Sequence, residues 1–259
     1  MPGTATSPDI PLFDLRLEDE DLRAVADVLR SGALALGART RAFEEAFAAH
    51  LGTRHAVAVS SCTAALHLAY LAAGVGPGDE VIVPSLTFAA TATAVLYCGA
   101  RPVFADIIGQ HDLSLDPDDV ARRIGPRTKA VTAVHFAGYP APVDRLRALC
   151  EAHGLALIED AAHAPSADLD GQRLGTFGLA GCFSLFSNKV LSVGEGGILV
   201  TDDDDVAARA RALRSHGIAP RVDGAGGYDV AELGFNYRFD EARAALALSR
   251  LPRLEADIE

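Results

Sequence analysis

HAVAVSSCTAALHLAYLAAG, residues 55–74, holds the reading that decides the fold. Its opening, HAVAVS (55–60), is a short apolar run suited to a buried strand. From Thr63 the pattern becomes helical, and Gly74 closes it. The junction of strand and helix carries Ser61, Cys62 and Thr63.

The same alternation continues downstream. EVIVP (80–84) predicts a strand, and TFAATATAVLYCG (87–99) a helix ending at Gly99. RPVFAD (101–106) predicts a strand followed by a helix over 116–124. TKAVTAVH (128–135) precedes the helical VDRLRALCEAHG (143–154), and LALIED (155–160) is a further strand. Continuous apolar strands alternating with helices predict an α/β domain, with a mostly parallel sheet covered on both faces and right-handed connections. Beyond residue 160 the rhythm changes. GCFSLFS (181–187) and GGILVT (196–201) read as two strands joined by a loop, and 203–215 as a helix. The acidic run 202–205 reads as a solvated helix start favoured by the helix dipole rather than as a metal site, and no metal is expected. Upstream, 18–30 and 39–50 read as amphipathic helices. The last segment, 238–259, reads as a helix interrupted by Pro252. It has no capping signal and looks cut.

Composition narrows the function classes. The chain has 259 residues, 49% hydrophobic and 22% charged, a balance that excludes a disordered, collagen-like or coiled-coil chain. Its formal net charge of −12, with no Lys/Arg run, disfavours a nucleic-acid partner. No apolar run reaches the length of a membrane span, and the start lacks the features of a signal peptide, so a cytoplasmic protein is expected. The four cysteines have no metal-ligand spacing and read as small buried hydrophobes.

Ligands of open α/β sheets bind beyond the carboxyl ends of the strands, so the residues there are the candidates. Ser61, Cys62 and Thr63 open a helix, whose free amides and hydroxyls suit an anion; simple N-capping by Ser61 or Thr63 is the alternative. Asp160 ends a strand amid apolar residues, either as a functional carboxylate or as a cap. Lys189 is one of only two lysines, the other being Lys129, and lies between apolar strands beside Ser184, Ser187 and Asn188. A desolvated lysine with a depressed pKa suits covalent chemistry with a carbonyl; a surface loop lysine is the alternative. A phosphate cradle, a carboxylate and a lysine are together the parts that hold pyridoxal 5′-phosphate.

With these parts in order, the sequence resembles the DegT/DnrJ/StrS sugar aminotransferases, within the aspartate-aminotransferase-like (fold type I) superfamily. The carriers are IPLFD (10–14), SSCTAALHLA (60–69), GDEVIVPSLTFAATATAV (78–95), ARPVFADI (100–107), IEDAAHA (158–164), FSLFSNKVLSVGEGG (183–197) and ELGFNYRFDEARAALALSRL (232–251). The resemblance implies that Lys189 is the Schiff-base lysine and Asp160 the partner of the pyridinium nitrogen. It implies that Phe88 stacks on the cofactor ring, that Cys62 and Thr63 form the phosphate turn, and that Ser184 contacts the phosphate. Asn236 would reach the phosphate from a neighbouring subunit, giving a homodimer with a shared site. His163 stands where the family often has Gln, and both can donate to the ring hydroxyl. Cys62 stands where Gly is common.

The resemblance further implies a large cofactor domain over 51–237, an N-terminal helical segment over 1–50, and, at 238–259, the start of a helix leading to an absent C-terminal small domain. That absence would expose apolar surface on the 238–254 helix. The expected activity is transfer of an amino group from glutamate or glutamine to a nucleotide-linked keto-sugar. The alternatives are another pyridoxal-phosphate reaction such as elimination, or a catalytically silent cofactor-binding scaffold.

Overall fold

The computed structural model describes residues 15–220 and 228–258; the IPLFD stretch lies outside them. Two helices come first, α1 (Asp19–Ser31) and α2 (Ala38–Leu51). The alternating part follows as β1 (His55–Val59), α3 (Cys62–Ala72), β2 (Glu80–Pro84), α4 (Ala89–Tyr97) and β3 (Arg101–Ala105). After a ribbon of β4 (Ile107–Gly109) and β5 (Asp112–Leu115) come α5 (Pro117–Arg123), β6 (Thr128–Val134), α6 (Val143–His153) and β7 (Ala156–Asp160). A second ribbon, β8 (Asp168–Leu169) with β9 (Gln172–Arg173), precedes β10 (Ala180–Ser184), β11 (Gly197–Thr201) and α7 (Asp204–Arg214). A third pairs β12 (Ile218–Pro220) with β13 (Tyr228–Val230), and α8 (Glu241–Arg250) and α9 (Leu254–Ile258) follow.

The central sheet has seven strands in the order β1-β11-β10-β7-β6-β2-β3. β10, β7, β6, β2 and β3 pair in parallel, while β11 runs antiparallel to both β10 and β1. β1 therefore points the same way as the parallel strands but touches none of them. Its apolar run was enough to identify a strand and not to show that a reversed strand separates it from the rest. The three ribbons were not anticipated, because strands this short carry no usable period.

Period-two alternation explains why the strands read as continuous apolar runs. Ala58, Ile82, Leu157 and Ile198 face one cluster, which includes Phe43 and Phe47 of α2 and Leu146 of α6. Val57, Val59, Val81, Ile158 and Leu199 face the other, under α3, α4 and α7. Cys98, Cys150 and Cys182 are buried in these clusters, whereas Cys62 is half-buried.

The expected apolar exposure on the 238–254 helix is not found. Ala244, Ala247, Leu251 and Leu254 join the first cluster together with α2 residues. The helix also begins later than the pattern implied. Asp240 caps it by accepting the Arg243 amide at 2.9 Å, and Arg238 instead bridges Val59. The helix N-terminus of α2 is held from α8. Glu241 accepts the amides of Gly37, Arg39 and Thr40 at 2.8–2.9 Å, and the Thr40 hydroxyl at 2.8 Å. Burial would raise the Glu241 pKa, but these donors outweigh it and lower it. Arg253 reaches the buried Asp21 of α1 at 2.8 Å. At the acidic run, Asp203 caps α7 through the amides of Asp205 and Val206.

His67 of α3 is 2% exposed, and its Nδ1 lies 3.2 Å from the Tyr237 hydroxyl. Burial lowers its pKa from 6.5 to about 4. The unfolded chain therefore takes up this proton at a higher pH than the folded one, and stability falls as pH drops from 6.5 through 4. The full loss is about 3 kcal/mol. We expect unfolding titrations in denaturant to show this acid sensitivity, and His67→Phe to flatten it; an unchanged slope in the variant would contradict the assignment.

Candidate active site

Because β1, β2, β6, β7 and β10 all point one way, their carboxyl ends meet at one edge of the sheet. A cavity of about 550 Å³ opens there. β1 delivers Ser61, Cys62 and Thr63 to its wall, β7 delivers Asp160 and His163, and β10 delivers Ser184 and Lys189.

The anion-suited wall is the start of α3. Ser61 is its N-cap, accepting the Ala64 amide at 3.1 Å, so the capping alternative holds for Ser61. The amides of Cys62 and Thr63 precede the first intrahelical bond and have no partner within the helix. The helix can begin this close to the sheet because β11 starts with Gly197: a Cβ there would run into the Ser61–Cys62 peptide.

Asp160 also lines the cavity and is 5% exposed. Its Oδ2 accepts the Thr91 hydroxyl at 2.8 Å, and its Oδ1 accepts the Ala162 amide at 3.2 Å. Burial raises its pKa, while these two donors and the nearby histidines oppose the rise. Its neighbour Glu159 points to the opposite face of β7 and is wholly buried. Glu159 accepts from His135 at 2.9 Å and from the amides of Gly175, Phe177 and Gly178 at 2.7–2.8 Å.

Lys189, half-buried, also lines the cavity, and its amine has no hydrogen bond or ion pair among the described residues. Burial lowers its pKa, against the pull of Cys62 and Asp160. Lys129, by contrast, lies exposed on β6 and away from the cavity. Phe88 is the N-cap residue of α4 and is 76% exposed, so it is not a core phenylalanine.

The ring of His163 is fixed by the turn Phe136–Gly138. Ala137 adopts a left-handed φ of 53°, and its amide donates to His163 Nδ1 at 3.1 Å. In the neutral ring the proton therefore sits on Nε2, leaving a donor. Burial lowers the His163 pKa and Lys189 adds to the effect, while Asp160 opposes it.

One chain thus brings Cys62, Thr63, Phe88, Asp160, His163, Ser184 and Lys189 to one cavity. Asn236 is not among the cavity residues. It is exposed on an extended segment that bridges Ser215, between Phe235 and Tyr237, whose rings stack at 4.9 Å. Sequence reasoning missed Thr87, Thr91 and Ala137. Thr87 and Thr91 could have been found as two hydroxyls four residues apart at the start of the predicted 87–99 helix, and so on one face. Nothing in the sequence marks an alanine for a left-handed turn.

The profile of the DegT/DnrJ/EryC1/StrS aminotransferase family matches residues 16–259. The spore coat polysaccharide biosynthesis protein SpsC of Bacillus subtilis (strain 168) is 43% identical over 242 residues, covering 91% of this chain and 62% of SpsC. DesI, solved in the presence of its TDP-sugar product, is 42% identical with a TM-score of 0.81 over 92% of this chain and 58% of DesI. Spr1654 from Streptococcus pneumoniae, solved in PLP and PMP forms, is 27% identical; in its PMP form the TM-score is 0.90 over 96% of this chain and 68% of Spr1654. The chain thus spans about 62% of the length of SpsC. With a profile match over nearly all of its length, the chain belongs to the DegT/DnrJ/EryC1/StrS aminotransferase family.

Proposed function

We propose that the chain binds pyridoxal 5′-phosphate and serves a cytoplasmic aminotransferase that transfers an amino group from glutamate or glutamine to a nucleotide-linked keto-sugar. The observation that carries this reading is that one cavity is lined by both a half-buried lysine amine and a buried carboxylate, neither in an ion pair among the described residues. The cavity suits this cofactor. Free amides at the start of α3 match a phosphate, and Asp160 matches a ring nitrogen that must stay protonated. Four free cysteines fit a reducing compartment.

Pyridoxal phosphate, when bound, supplies the electron sink that lets an amino group be exchanged for a carbonyl oxygen. Cys62, Thr63 and Ser184 would hold its phosphate, and Phe88 would cover its ring. Asp160 would keep a proton on the ring nitrogen, and His163 would donate its Nε2 proton to the ring hydroxyl. The lowered pKa of Lys189 increases the neutral fraction of its amine, the form that attacks carbonyl carbon and accepts a proton. Asn236 would act on the neighbouring subunit's phosphate. Its exposure fits that role.

Borohydride reduction of the protein mixed with pyridoxal phosphate is expected to attach the cofactor to Lys189, read by peptide mass mapping. Labelling should vanish in Lys189→Arg and persist in Lys129→Arg; attachment at Lys129 would overturn the assignment. Asp160→Asn is expected to keep phosphate-dependent binding while slowing 2-oxoglutarate release from glutamate at least about 100-fold. Near-normal turnover would make Asp160 a structural cap. Finally, the protein is expected to sediment as a dimer. Mixing Lys189→Ala with Asn236→Ala subunits should give heterodimers with one intact and one doubly damaged site, and so partial recovery of cofactor binding. A monomer with tight cofactor binding would contradict the shared site.

A further inference from the structure

The cofactor reading assigns Asp160 a charge, but burial works against that charge. The structure contains a device that opposes the burial. Thr91 is wholly buried in the first turn of α4, and its hydroxyl lies 2.8 Å from Asp160 Oδ2 and 2.7 Å from the Thr87 hydroxyl. A hydroxyl has one proton. With Thr91 donating to the carboxylate, Thr87 must donate to Thr91, and the chain of bonds runs one way toward Asp160. Thr87 itself lines the cavity. The backbone of Thr91 is fixed from two other elements: Tyr70 of α3 donates to its carbonyl at 3.2 Å, and the same tyrosine oxygen lies 2.9 Å from the Thr132 hydroxyl of β6.

The charged and titratable surroundings of Asp160 do not include such a donor. His135 and His163 lie near it and favour its ionised form, Lys189 lines the same cavity, and Cys62, Cys182 and Tyr70 are neutral neighbours. None of these makes a direct hydrogen bond to the carboxylate among the described residues; Thr91 and the Ala162 amide do. Glu159, with four donors of its own, is turned to the other face of the strand.

We propose that Thr91 is a positioning residue that holds Asp160 ionised and oriented, and that Thr87 extends this relay to the cavity wall. The proposal deepens the cofactor reading and rests on it for its purpose, but the hydrogen-bond chain is testable without cofactor. Thr91→Val keeps shape and removes the donor; Thr91→Ser keeps the donor.

The test is a carboxyl-carbon NMR titration of Asp160 in the full chain without added cofactor, beside pyridoxal phosphate affinity. In Thr91→Val the Asp160 midpoint should rise by about one pH unit or more, and cofactor affinity should fall about ten-fold. Thr91→Ser should restore both. Thr87→Val, at the cavity wall, should move the midpoint the same way by a smaller amount, and it decides the matter if Thr91→Val does not fold. An unmoved midpoint in Thr91→Val, or in Thr87→Val where that variant decides, would overturn the relay, as would a Thr91→Ser protein as impaired as Thr91→Val. If the unsubstituted protein does not bind pyridoxal phosphate, the cofactor reading fails while the titration still judges the relay.

Discussion

Two adjacent carboxylates at the end of β7 set the terms for the site. Strand alternation turns Glu159 to one face and Asp160 to the other. Glu159 has four hydrogen-bond donors and Asp160 has two. A buried carboxylate is tolerated when its lone pairs are filled, and Glu159 meets that condition. It does so by gathering the 175–178 backbone and His135 around its carboxylate. The Ala141 amide donates to His135 Nδ1 at 3.2 Å, so His135 offers Glu159 its Nε2 proton. Glu159 is thus fully hydrogen-bonded, and the carboxylate left partly open is the one that faces the cavity.

Close backbone approach is the second constraint. α3 starts on top of β11, and only a residue without Cβ can lie under the Ser61–Cys62 peptide. The reversed direction of β11 makes this possible, because it brings the start of that strand, at Gly197, to the edge where the parallel strands end. The free amides of α3 and the amine of Lys189 thereby share one space. An amine in such a half-buried setting loses hydration, and its neutral form gains.

The helices that flank the sheet are tied together across the sequence. Glu241 occupies the N-terminus of α2, where the helix dipole favours an anion, and Arg253 meets Asp21 of α1. The 241–254 stretch is thus part of the first core cluster together with Phe43 and Phe47.

Local patterning by itself determined a good deal of this protein. Apolar runs and helical periods gave the main strands and helices, since each period is a property of a few neighbouring residues. Lys189, Asp160 and the 61–63 turn stood out by residue type and by position at strand ends, which is where open α/β sheets place ligands. The tertiary structure alone decided what those residues face. Thr91 and Asp160 meet across 69 positions of sequence, and Glu241 and Thr40 across 201. The tautomer of His163 depends on a left-handed alanine 26 positions away. The place of β11 between β1 and β10 depends on pairing, and an apolar run carries no record of its partner. Hydrogen bonds act over about 3 Å of space with no regard to distance along the chain. Periodicity therefore names the elements, and only folding shows which atoms they bring together.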